Sequence, residues 1–155
     1  CDVHRAKKIS LTALLSALCV VGSFITFPSP AGTIALDSSP GFFAAYYFGA
    51  SLGAVVCAIG HLATAVVHGF PLGLLHLAIA LGMALTGFST GLVKHRFGLI
   101  PAIITAIAVN TALFPLAIPV LGWHVSLYAV MPILLIASSI NAILAASVYK
   151  VLTKG

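Results

Sequence analysis

Six histidines and two acids are the side chains here best suited to moving protons, holding a metal ion or gripping a polar ligand. One acid is Asp2. The other, Asp37, stands alone in the apolar stretch IALDSSPGFFAAYYFG at residues 34–49. In GHLATAVVH, His61 and His68 are seven residues apart, about two helical turns, which puts them on one helix face. Metal-dependent hydrolysis would need an H-E-x-x-H helix or equivalent ligands beside a general base, and no acid accompanies these histidines. His68 and His76 would hold a metal only with Asp37 or His124 completing the set. No nucleophile paired with a base is singled out. No G-x-x-x-x-G-K-[ST] run occurs, so a P-loop for ATP is absent. Ligand recognition by hydrogen bonds and ring contacts suits these residues better.

The frame that must position these residues is lipid-embedded. Apolar residues make up 61% of the 155 and charged ones only 6%, against about a quarter in a soluble domain. The expected fold is an all-α integral membrane protein. Apolar runs and their breakers give six spans, at about 9–27, 39–48, 49–67, 74–93, 99–118 and 125–152, in one membrane domain covering 1–155. The first run is longer than a signal-peptide core and ends in PSPAG without an A-x-A site, so it reads as a retained span. The chain begins with Cys1 rather than Met, which reads as a trimmed start. A lipid on Cys1 would have to face outward, against the adjacent basic cluster. Cys19 and Cys57 fall within spans as small buried hydrophobes.

All seven Lys and Arg fall in three clusters: Arg5/Lys7/Lys8, Lys94/Arg96 and Lys150/Lys154. Basic residues are retained on the cytoplasmic side, so an even number of crossings separates each cluster from the next. Six transmembrane helices with both termini cytoplasmic follow, and the net charge of +5 needs no nucleic acid to explain it. The outer loops become 28–38, 68–74 and 119–124, which places Asp37 outside. His61 and Thr64 belong to the outer half of the third span, His68 to its outer end and His76 to the start of the fourth. Asn110 lies at or above the middle of the fifth. Trp123 and His124 close the last outer loop, with Tyr128 one turn below. His4 and His95 stay beside basic clusters, and Tyr46 and Tyr47 fall toward the inner end of the second span.

Polar side chains in lipid turn toward a bundle interior or a cavity. A pocket open to the outside is therefore expected from Asp37, His61, Thr64, His68, His76, Asn110, Trp123, His124 and Tyr128. Single members have other uses. A lone histidine also serves as a packing residue, and Trp123 suits an interfacial anchor. Asp37 either caps the helix starting near Ser39 or contacts ligand, and one side chain can do both. Small residues form a second pattern. Ala6, Ser10, Ala13 and Ala17 recur at helical spacing, and Gly49/Gly53 and Gly87/Gly91 repeat small-xxx-small, which lets helix backbones meet in lipid. The glycine pairs suit packing inside the bundle; the first stripe suits a partner outside the chain.

With ALLSA in the first span, LDSSPGFFAAYYFGASLG and six short spans, the sequence resembles the S components of energy-coupling factor (ECF) transporters, the membrane subunits that bind vitamins and related compounds. ALLSA is similar to the A-x-x-x-A motif that docks S components on the transmembrane T subunit, and maps to Ala13 and Ala17. Asp37, Ser39, Pro40, Phe48, Gly49 and Gly53 match the family's acidic-Ser-x-Pro loop, short helix and Phe-Gly junction. The resemblance implies tight substrate binding near the outer face and association with a T subunit and two cytoplasmic ATPases. It also implies toppling to deliver cargo, no cofactor, no enzymatic activity, and a multi-pass place in the bacterial cell membrane. The GHLATA and HGFPLGLLH runs resemble S components assigned to α-ribazole, a benzimidazole nucleoside salvaged for cobalamin. Riboflavin, a thiamine precursor or a queuosine precursor fits the same chemistry; a highly anionic cargo does not, because no Lys or Arg falls among the pocket residues. The competing classes are a histidine-based membrane metalloenzyme and a self-sufficient channel or secondary transporter.

Overall fold

A computed structural model describes residues 2–32 and 34–154; Cys1, and with it the reading of a lipid there, lies outside the described residues, as do Thr33 and Gly155. The helices are α1, Asp2–Ser23; α2, Ser39–Phe48; α3, Ala50–Val67; and α4, Leu75–Phe97. α5 covers Leu99–Thr111 and is prolonged by a 3-10 turn, Phe114–Ala117, and a helical turn, Ile118–Leu121. α6 is the stretch Trp123–Thr153, with a π turn at Ser126–Val130. Among the described residues there is no strand, only an isolated bridge between Thr26 and Ala35. Among the described residues, five helical stretches are long and apolar enough to cross a bilayer. α2, with ten residues, is about 15 Å long and reaches halfway through a core of ~30 Å.

Several helix limits differ from the hydropathy reading. α1 begins at Asp2 rather than Ile9, and α4 runs past Val93 to Phe97. Lys and Arg are good helix formers, and basic side chains suit the negative end of α4 until Gly98, at φ 92°, stops it. Hydropathy marks where lipid ends, not where helical hydrogen bonding ends. At its far end α1 stops at Ser23, short of the expected Phe27. The Ser23 hydroxyl donates to the Val20 carbonyl at 2.6 Å, and the chain then runs extended. Phe27 N–H donates to the Ile34 carbonyl at 2.8 Å, and Leu36 N–H to the Ile25 carbonyl at 3.0 Å. β-branched Ile25 and Thr26 suit that backbone. Residues 24–32 and 34–38 therefore form a hairpin folded back over the bundle. Gly22 lies under its return arm, where any Cβ would collide with the Leu36 carbonyl.

Proline shapes the outer ends of α5 and α6. Pro115 and Pro119 give no amide to an α ladder, and the chain passes from α5 into tighter turns. Pro132 likewise leaves the Tyr128 carbonyl without its usual donor, and α6 widens into the π turn just before it.

The Gly53 and Gly87 backbones cross directly, and a Cβ on Gly87 would strike the Gly53 carbonyl; Gly91 meets the Ala50 backbone in the same way. The small-xxx-small pairs of α3 and α4 thus pack against each other inside the bundle. A backbone obstacle cannot swing aside as a side chain does. Gly87→Ala is expected to destabilise the protein by about 1–3 kcal/mol, read as a lower unfolding temperature in detergent with the same helical content.

The Lys94 ammonium sits 4.8 Å from the Tyr149 ring centroid, so the C-terminal ends of α4 and α6 share one end of the bundle. Tyr47 is there too, 6.1 Å from the Tyr149 ring. Lys8 of α1 borders a groove with Val55 and Ile59 of α3. Basic residues from three separate segments thus mark one end, which the positive-inside rule makes cytoplasmic.

Candidate functional site

At the opposite end the helices part around a small cavity of about 70 Å³. The hairpin contributes Ala31, Ile34, Ala35 and Asp37, the second outer loop Leu72, and α3 His61. α4 contributes Ile79 and Met83; α5 and the turn after it contribute Asn110, Leu113, Phe114 and Ala117. From α6 come Val130, Leu134, Ala137, Ser138 and Asn141, one stripe at helical spacing. The wall is mostly apolar, with few polar groups and neither Lys nor Arg.

One side chain ties the hairpin to the bundle. Asn141 is buried, and its Oδ1 accepts the Ser39 N–H at 2.8 Å while its Nδ2 donates to the Ala35 and Ala137 carbonyls, each at 2.9 Å. The first amide of a helix has no partner of its own, and here a distant helix supplies it. The N-cap position of α2 is Ser38, and no side-chain cap bond forms there. Capping is therefore not the role of Asp37.

The Asp37 carboxyl is nearly enclosed, with 7% of the residue exposed. Ser38 donates to it at 3.2 Å, and the buried Thr64 hydroxyl lies beside it without closing a hydrogen bond. Burial pushes its pKa up from 3.8 to about 6; the Ser38 and Thr64 hydroxyls, its own backbone N–H and the nearby His68 oppose the rise. No Lys or Arg in the wall neutralises it.

His61 faces the cavity, and its Nε2 lies 3.1 Å from Nδ1 of His76. His76 is fully buried behind it and receives the Leu72 N–H on Nε2 at 3.3 Å. That amide is presented by the turn after α3. Gly69, at φ 76°, takes the left-handed position, with Phe70 N–H bonded to Ala65 and Gly69 N–H to Val66. His68 sits at the end of α3 with Nδ1 2.9 Å from the Thr64 carbonyl.

The structure thus brings Asp37, His61 and Asn110 into the wall, with Thr64, His68 and His76 close behind. Trp123, at 54% exposure, His124 and Tyr128 lie outside it. The last two stack on each other, with ring centroids 6.1 Å apart. The wall's aromatic surface is Phe114. Ser138, whose buried hydroxyl has no hydrogen-bond partner, and Asn141 also belong to the site. The rule that polar groups in lipid seek an interior points to both in SSINA. Nothing local in the sequence points to Phe114. Among the described residues, no three His, Cys, Asp or Glu side chains come together to hold a metal ion.

A family model described as ECF transporter, substrate-specific component, matches residues 7–153. The chain belongs to that family. It is a substrate-binding component of an ECF transporter, a multi-pass membrane protein and not an enzyme. S components bind small molecules in the membrane and work with a T subunit and ATPases. No curated protein and no solved structure matches the chain.

Proposed function

We propose that this S component, in a bacterial cell membrane, captures a neutral heteroaromatic vitamin precursor in the outer cavity, and that the cargo is α-ribazole. The observation that carries the reading is the composition of the wall: an apolar chamber with few polar groups, one of them a carboxylate, and no cation. A flat ring system suits Phe114 and the aliphatic side chains around it. Hydroxyls suit Asp37, His61, Asn110 and Ser138, which accept or donate. A phosphorylated cargo would bring anionic oxygens to a wall without a basic group. The likeness of the GHLATA and HGFPLGLLH runs to α-ribazole S components selects among the neutral candidates. Asp37, His61 and Asn110 are the contacts in this reading, with Thr64, His68 and His76 behind them. Trp123, His124 and Tyr128 remain surface residues.

Calorimetry or native mass spectrometry of the purified protein tests the cargo. Sub-micromolar binding of α-ribazole is expected. Binding weaker than micromolar, together with tight binding of riboflavin, a thiamine precursor or a queuosine precursor, would reassign it.

Docking on the T subunit is assigned to α1. Ala13 and Ala17 are exposed there, and Ala13 borders the α1–α3 groove with Lys8, Thr12 and Ser16. Ala13→Trp and Ala17→Trp should abolish uptake in cells that supply the T subunit and ATPases, while the purified variants still bind cargo. Loss of binding as well would place α1 in the folding of the site instead.

A further inference from the structure

The hydrogen bonds around His76 fix more than its position. A backbone amide only donates, so the Leu72 N–H at 3.3 Å requires a bare Nε2 on His76. The proton of that ring is then on Nδ1, and His76 is neutral. Its Nδ1–H points along the 3.1 Å contact to His61 Nε2, which must be bare in turn. His61 is therefore also neutral, with its proton on Nδ1. Unlike His68, whose Nδ1 meets the Thr64 carbonyl, His61 makes no other hydrogen bond among the described residues. Its N–H is unspent, on a residue that lines the cavity.

We propose that His76 is a positioning residue that sets the polarity of the cavity: by holding His61 as the Nδ1–H tautomer, it makes the histidine side of the wall a hydrogen-bond donor. Asp37, another polar residue of the same wall, is an acceptor when ionised. The cargo then presents an unprotonated acceptor to His61, a pyridine- or imidazole-type nitrogen or an oxygen, and a donor to Asp37. A ligand with an N–H in place of that acceptor meets donor against donor in a buried site and is rejected. The inference rests on the reading of this cavity as the substrate site. α-Ribazole meets both demands, since its benzimidazole keeps one bare ring nitrogen and its ribose hydroxyls donate.

Long-range 1H–15N correlation spectra of the full chain, labelled at histidine and held in lipid nanodiscs, read the tautomers directly, with His61→Gln used to assign the signals. Both His61 and His76 are expected as Nδ1–H tautomers without any ligand. An Nε2–H proton on His61 overturns the proposal. In His76→Phe, His61 should lose its enforced tautomer and move toward Nε2–H; an unchanged His61 spectrum removes the positioning role from His76. If that variant does not fold, the wild-type spectrum still decides. Saturation with α-ribazole should leave the His61 proton on Nδ1, and its transfer to Nε2 would overturn the acceptor requirement. Failure of α-ribazole to bind, with both Nδ1–H tautomers present, would sink the cargo assignment and leave the wall polarity standing.

Discussion

Asn141→Leu is expected to unfasten the outer hairpin and lower both stability and substrate binding. Leucine matches the volume but makes none of the three hydrogen bonds that Asn141 closes with Ser39, Ala35 and Ala137. The Ala137 carbonyl keeps its place in the α6 ladder. The Ser39 amide and the Ala35 carbonyl do not recover so easily, because both lie in a buried junction away from water. Leaving two such groups unpaired costs about 2–6 kcal/mol. Thermal unfolding in detergent should show the loss, and calorimetry should show weaker binding, since Ala31, Ile34, Ala35 and Asp37 reach the cavity through this hairpin. A leucine variant with wild-type stability and affinity would show that α2 and the hairpin are held by apolar packing alone.

Asn141 also shows which part of the site the sequence does not carry. The six-helix frame follows from where apolar runs meet breakers, and the orientation from three clusters of basic residues that the fold gathers at one end. The depth of a polar residue is equally plain: Asp37 is found by its place in the first outer loop, and His61 and Asn110 by their place along their spans. Rotation about a helix axis is another matter. Trp123, His124 and Tyr128 have the right depth, but the π turn before Pro132 sets the register of α6. The cavity then receives Val130, Leu134, Ala137 and Ser138, and the aromatic rings stay outside. The hairpin is invisible for a similar reason. Phe24 to Phe27 read as the tail of an apolar run, and only pairing with residues 34–36 makes them extended. Asn141 joins both problems, because its partners Ser39 and Ala35 are over a hundred positions away in sequence.

Asp37→Asn should raise the stability of the empty protein and weaken its hold on cargo, two effects of opposite sign at one atom. The folded carboxyl titrates near 6 against an ordinary 3.8, so the folded state holds the proton more tightly than the unfolded one. The stability this contributes is fully present below about pH 4 and is lost as pH rises through about 6. Ionised and buried at pH 7, Asp37 costs on the order of 3 kcal/mol, which an asparagine avoids. Unfolding of the empty wild type should thus become easier between pH 4 and 6.5, with that slope much reduced in Asp37→Asn. Binding runs the other way. A cargo hydroxyl donating to the carboxylate makes a charge-assisted bond, worth about 1.5–3 kcal/mol, so the variant should bind roughly ten- to a hundredfold more weakly at pH 7.5. As pH falls below about 6 the wild type protonates and its affinity should descend toward that of the variant, whose own profile stays flatter. Equal affinities at every pH would remove Asp37 from the cargo contacts, and a variant less stable than wild type at pH 7.5 would make the carboxylate a structural bond. A carboxylate buried at a cost to the fold is what the proposed cargo contact requires of the one acid at the outer end of the bundle.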